Sequence, residues 1–256
     1  VKKKEIGRAQ FTRQLQKGAT PPANPDEVAD AWLKEGLRLH KLGLYRSATE
    51  AYKMAIKFRP DFLDAYYNSG IAYGSLEDYG LDTLESAIGA FKHSIRLGPE
   101  FIHAYIALGA AYLRRNESGE AADLLEQAAI LDPENPNLYY YLGTAYRATR
   151  RPELAIPALE RSVLLAPDSV HARFTLGLTF IDSGDFKDAA EALRETLRIK
   201  PDLADACFVL GQLYFTNLND SEQARVYLEK SESLYARLKD VEKLQRTREL
   251  LNQLVS

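Results

Sequence analysis

The sequence predicts an all-α protein, a right-handed α-solenoid of stacked antiparallel helix pairs with a C-terminal capping helix. Three series of residues predict it. Glycines recur at Gly36, Gly70, Gly109, Gly143, Gly177 and Gly211, at intervals of 34, 39, 34, 34 and 34. Prolines recur at Pro60, Pro99, Pro133, Pro167 and Pro201 and share the single irregularity, in the same place. Alanines at Ala48, Ala87, Ala121, Ala155, Ala189 and Ala224 follow each glycine by 12 or 13 residues, except in the longer second repeat. A period in this range marks an array of short modules rather than one or two globular domains.

Residues 1–23 precede the array as a basic tail and a proline-rich linker. Lys2, Lys3, Lys4, Arg8, Arg13 and Lys17 against Glu5 give +5 in residues 1–18, so the remainder of the chain, whose net charge is −3, carries −8. This segment is expected either as a solvated tail or packed on the acidic body through Ile6, Phe11 and Leu15. Asn24-Pro25-Asp26-Glu27 then reads as an N-cap, a first-turn proline and a capping-box glutamate, which start the first helix.

Six repeats follow over residues 24–236, at about 29–62, 63–101, 102–135, 136–169, 170–203 and 204–236. Each reads as two helices with apolar residues at three-to-four spacing. In the third, Tyr105, Leu108 and Tyr112 share one face, a polar turn covers 115–120, and Ala121, Leu125, Ala128 and Leu131 form the next face. Asp132-Pro133 stops that second helix, because proline lacks a donor and disfavours helical geometry in the residue before it. The recurring Gly and Ala mark the crossing of the two helices, where small side chains let the axes approach.

Two repeats depart from the period. The second carries five extra residues around 76–83. Asp82-x-x-Glu85 there predicts a capping box and a helix from near Thr83, with Tyr79 and Leu81 free to touch a partner. Pro157 lies inside the second helix of the fourth repeat and predicts a bend. After Gly211 no Gly or Pro occurs, while Leu234, Leu238, Val241, Leu244 and Leu251 recur at helical spacing. Residues 237–256 are therefore expected as the polar-faced cap that an array needs at an open end, with a dimerisation helix as the rival.

The pattern resembles the tetratricopeptide repeat family, whose unit is a W-x2-L-G-x2-Y…A-x3-F…A…P helix pair. Trp32, Gly36, Ala48, Tyr52, Ala55 and Pro60 carry the resemblance in the first repeat, and Tyr139-x2-Leu142-Gly143-x2-Tyr146 in the fourth. Glu35 and Ser69 depart from it at a Leu position, Arg173 and Cys207 at the first aromatic, and Ala236 at the proline. The resemblance implies a superhelix with a concave face lined by the fifth, ninth and twelfth repeat positions. The fifth reads Leu33, Tyr67, Ile106, Tyr140, Phe174 and Phe208. The ninth contributes Leu37, Ile71, Ala110, Thr144, Leu178 and Gln212, and the twelfth Leu113, Ile181 and Phe215.

That stripe is aliphatic and aromatic, so the expected function is a non-enzymatic protein–protein interaction scaffold. A partner's peptide or amphipathic helix would lie in the groove. The carboxylate clamp of chaperone adaptors, also known in the family, is not expected. Its Lys, Asn and Arg positions hold Leu33, Leu37, Asn68, His103 and Ala107, which leaves a terminal carboxylate without cations. The alternatives are a regulatory or anchoring domain of a larger enzyme or membrane protein, and a self-assembling scaffold.

Catalytic patterns are missing from the sequence. His40, His93, His103 and His171 have no metal-ligand spacing, and no glycine-rich phosphate loop or nucleophile elbow occurs. No cofactor or metal is expected. Cys207, the one cysteine, stands at a packing position. Nucleic acid is not the expected partner of an acidic body, and membrane association is expected only through the basic tail or a segment preceding Val1. The cytoplasm is the expected compartment.

Overall fold

The computed structural model describes residues 24–76 and 80–254. Residues 1–23 and Tyr79 lie outside the described residues, and so do the expectations attached to them. Among the described residues the chain forms thirteen helices and no strand. They are α1 (Pro25–Lys41), α2 (Tyr45–Phe58), α3 (Leu63–Gly74), α4 (Leu81–Leu97) and α5 (Ile102–Arg114). Next come α6 (Ser118–Leu131), α7 (Pro136–Ala148), α8 (Pro152–Leu165) and α9 (Val170–Ser183). The last four are α10 (Phe186–Ile199), α11 (Ala204–Thr216), α12 (Ser221–Leu238) and α13 (Val241–Gln253).

The chain divides into two compact units, Val1–Ala111 and Tyr112–Ser256. In the N-terminal unit α1 packs on α2, α2 on α3 and α3 on α4, with α1 also touching α3. In the C-terminal unit the same order runs from α6 through α13, each helix packing on the next, and α7 also touches α9.

Starts and stops follow local chemistry. The Asn24 side chain accepts the Asp26 N–H at 3.1 Å, as the Asn-Pro start predicts. Asn135, Ser169, Asp220 and Asp240 cap α7, α9, α12 and α13 in the same way. Arg59, Gly98, Asp132, Ala166 and Lys200 each precede a repeat proline. All five leave the helix with φ between −129° and −138° and ψ between 81° and 93°. All five thus lie outside the α region, which a following proline disfavours. In the sixth repeat Ala236 replaces the proline, and α12 runs for 18 residues where α6, α8 and α10 run for 14.

The glycines do what their spacing implies. A Cβ on Gly36 would lie 2.4 Å from Tyr52 Cε1, and one on Gly70 2.5 Å from Phe91 Cε1. On Gly143, Gly177 and Gly211 it would lie 2.5, 2.9 and 2.8 Å from the Cγ of Leu159, Leu193 and Leu228. In every case the plug is the side chain four residues after the repeat alanine, and Tyr52, Leu159, Leu193 and Leu228 are fully buried.

Two sequence expectations need correction. Helix α4 begins at Leu81 with Gly80 as its N-cap and no side-chain cap, so Asp82 and Glu85 do not form a capping box. Gly80 is extended, and its carbonyl accepts from the Thr83 hydroxyl at 2.8 Å, which draws Asp82 into the first turn. The leucine series after Gly211 is not one helix either. Lys239 turns left-handed (φ 58°) and closes α12, after which Asp240 caps α13. Leu238 and Val241 therefore sit exposed at the turn, while Leu244, Leu250, Leu251 and Leu254 pack on the core. Pro157 does not interrupt α8.

Candidate functional site

The first helix of each repeat carries the stripe, and its geometry is best followed within each unit. In the N-terminal unit Leu33 packs against both core clusters, one around Ala29, Ala55, Phe62 and Ala65 and the other around Ala48, Tyr52 and Ala72. Leu37, one turn later, is 43% exposed. Tyr67 is half-buried, its ring edge-on to Phe101 at 5.0 Å and 6.4 Å from His103. Burial pushes its hydroxyl pKa up. Ile71 and Ile106 are half-buried on α3 and α5.

In the C-terminal unit Tyr140 meets Tyr141 edge-on at 4.9 Å and lies 6.5 Å from His171. Thr144 donates its hydroxyl to the Tyr140 carbonyl at 2.8 Å, which satisfies the polar atom within its own helix. Leu113 packs on the cluster around Leu125 and Leu142. Phe174 and Phe215 pack half-buried against the cluster around Leu193 and Leu213. Leu178 and Gln212 are half-buried. At the edge of this face Arg147 Nε pairs with Asp182 at 2.6 Å.

Phe208 leaves the exposed stripe: it is 9% exposed and belongs to the core. Helix α13 covers it, with the Arg246 guanidinium 5.4 Å from the ring centroid. The cover is pinned at Asp205, whose Oδ1 accepts from Tyr235 OH at 2.7 Å and Lys243 Nζ at 2.8 Å. Burial alone would raise the Asp205 carboxyl, but these two donors outweigh it and hold the group below the usual carboxylate range. Burial, and then the carboxylate acceptor, push Tyr235 well up.

Sequence reasoning missed this pin, and it also missed Tyr141, half-buried against Tyr140 with its pKa pushed up by burial and then by that neighbour. The signal for the pin was available: Lys243 lies 38 residues after Asp205, about one repeat further along. Arg173, which replaces an aromatic, leaves its Nε buried without a hydrogen-bond partner among the described residues but keeps the aromatic's link to the proline carbonyl. Its Nη2 donates to the Pro167 carbonyl at 2.8 Å, just as Tyr105 OH donates to the Pro99 carbonyl at 3.0 Å at the same repeat position.

The histidines sit in separate ring contacts. His40 is edge-on to Tyr45 at 5.1 Å, with its pKa lowered by burial, and His93 stacks on Tyr66 at 4.6 Å. Among the described residues no group of three or more His, Cys, Asp or Glu could hold a metal ion. Cys207 is buried, and burial pushes its thiol pKa up, away from the nucleophilic thiolate. Among the described residues no helix is long and apolar enough to cross a membrane.

A family model described as tetratricopeptide repeat matches residues 76–136, 106–172, 140–204 and 174–236, and one described as TPR repeat matches 36–76. The chain belongs to the tetratricopeptide repeat (TPR) family. No curated protein matches it. Among solved structures this TPR chain is similar to YrrB, "a TPR protein with an unusual peptide-binding site". They share 26% identity at a TM-score of 0.60, over 78% of this chain and 99% of that one. MamA is also 26% identical, with a TM-score of 0.58 over 62% of this chain and 92% of its own. PilW, a "widely conserved type IV pilus biogenesis factor", reaches a TM-score of 0.74 over 86% and 97%, and at 20% identity that likeness shows the fold alone. The TPR fold supports a role in protein interaction.

Proposed function

We propose that this TPR chain is a non-enzymatic scaffold that captures a peptide or amphipathic helix of a partner protein along the first helices. The observation that carries the reading is the run of half-buried apolar side chains in the C-terminal unit. Tyr140, Phe174, Leu178 and Phe215 lie on three successive first helices, and the polar members between them are either internally bonded, as Thr144 is, or uncharged, as Gln212 is. Such a surface binds by removing apolar area from water, at about 25 cal/mol per Å2, rather than by pairing charges. The peptide-binding site named for YrrB supports the same use of the fold.

Phe208 drops out of the contact set because α13 covers it. The test is partner capture by the intact protein, with the captured protein identified, followed by Tyr140→Glu and Phe174→Glu. Each substitution should abolish capture while leaving helicity intact, and unchanged capture would sink the reading.

A further inference from the structure

Helices α6 and α8 expose apolar side chains at a position that neighbouring second helices give to cations. That position holds Lys57, Arg96, Ile130, Leu164 and Arg198 in the first five repeats. Ile130 is 83% exposed, Leu164 68%, and Leu131 beside Ile130 48%. Beside Leu164 lies a shallow hollow of about 550 Å3, lined by Pro157, Glu160, Arg161, Val163, Leu164 and Leu176.

The charges around these side chains are also one-sided. On α6 the same solvent face carries Asp123 and Glu126 ahead of Ile130, and on α8 it carries Glu153, Pro157 and Glu160 ahead of Leu164. The matching positions of α10 read Lys187, Glu191, Arg194 and Arg198, with Glu191 and Arg194 paired. Residues 116–146 hold six carboxylates and no Lys or Arg. Residues 60–91 also lack Lys and Arg, but there Arg96 stands at the position of Ile130. The cation lining the hollow, Arg161, is turned to the Pro133 carbonyl at 3.4 Å. Exposed aliphatic side chains flanked by the carboxylates of Asp123, Glu160 and Glu126, the last also holding the Tyr146 hydroxyl, suit a ligand that is both apolar and cationic.

The chain itself contains such a ligand. Residues 1–18 carry +5, with Ile6, Phe11 and Leu15 spaced among the basic residues. We propose that the solvent face of α6 and α8 docks residues 1–18 of a second copy of this chain. Ile130 and Leu164 take the apolar side chains, while Glu120, Asp123, Glu126 and Glu160 face the lysines and arginines. Each copy offers one segment and one face, so the contact is heterologous and grows beyond a dimer as concentration rises. The site is distinct from the first-helix stripe and does not depend on that stripe binding anything.

The test is sedimentation velocity of the full chain across a wide concentration range, at low and high salt. Wild-type protein should associate with concentration and weaken as salt screens the charges. The double substitution Ile130→Lys/Leu164→Lys should weaken association at least tenfold with helicity unchanged, since both side chains are mostly exposed. Lys2→Glu/Lys3→Glu/Lys4→Glu should do the same. Mixed with a chain carrying Glu120→Lys/Asp123→Lys, the reversed-segment chain should regain association. A monomer at every concentration, association unchanged by Ile130→Lys/Leu164→Lys, or no recovery in the mixture would each overturn the proposal.

Discussion

The two units solve the same packing problem with different side chains. In the N-terminal unit Gly36 lies under the Tyr52 ring and Gly70 under the Phe91 ring, and the three atoms nearest a would-be Cβ on either all belong to the ring. In the C-terminal unit they lie under leucines, and there the backbone also closes in. The Ala155 carbonyl oxygen is 3.2 Å from a Cβ on Gly143, and the Leu228 nitrogen 3.0 Å from one on Gly211. A flat ring supplies all three atoms nearest the glycine, whereas a leucine supplies Cγ and Cδ2 and a backbone atom is the other. One repeat position therefore needs glycine for two reasons, the plug side chain in both units and a backbone atom as well in the C-terminal unit.

Paired substitutions separate the two reasons. The largest effect is expected for Gly211→Ala with Leu228→Ala. Overpacking costs about 1–3 kcal/mol and the lost leucine about 2–5, so the pair should lose about 4 kcal/mol in urea denaturation. Removing the leucine should relieve only part of the glycine substitution, because the Leu228 nitrogen, 3.0 Å from the new Cβ, stays where it is. Gly36→Ala alone should lose about 2 kcal/mol, after a gain of about 1 from helix propensity. Adding Tyr52→Ala removes the ring that meets the new Cβ, so the double variant should lose less than the two single losses summed. If both pairs behave alike, the distinction between the units fails.

The buried tyrosines sharpen the comparison further. Tyr52 OH is buried without a hydrogen-bond partner among the described residues, and burial pushes its pKa up to about 12. Tyr146 OH in the C-terminal unit donates to Glu126 at 2.6 Å. Tyr52→Phe should therefore be neutral or slightly stabilising, whereas Tyr146→Phe should cost about 1 kcal/mol. Thermal midpoints measured side by side would show the opposite signs, or refute them.

The smallest effect concerns the cover that α13 lays over Phe208. Folding depresses the Asp205 pKa, so its contribution is complete above the ordinary carboxylate value, about 3.9, and is lost as pH falls through the depressed value. The Lys243 partner is half-exposed, which keeps the effect below about 1 kcal/mol. Hydrogen exchange of α13 should quicken on acidification through that window, and Asp205→Asn should remove the dependence.

Periodicity made most of this fold legible. The glycine, proline and alanine series located the helix crossings, the sharp ends before each proline, and the departure at Ala236 that leaves α12 longer than its counterparts. Those features act within a turn or two of the chain, where backbone sterics dominate. The candidate site was legible only as a list of positions. Whether a side chain at the fifth position faces solvent depends on what packs over it, and α13 does so at Phe208 through Arg246 and the Asp205 pin.

The sequence alone determined the repeat, its six helix pairs and the apolar character of the first-helix stripe, because each follows from the residues of one repeat. Only the tertiary structure decided the start of α4 at Gly80, the break at Lys239 and the burial of Phe208. It also showed that Arg173 reproduces a tyrosine's hydrogen bond. Each of these depends on neighbours brought together by packing, and the strength of a contact depends on how far packing removes it from water.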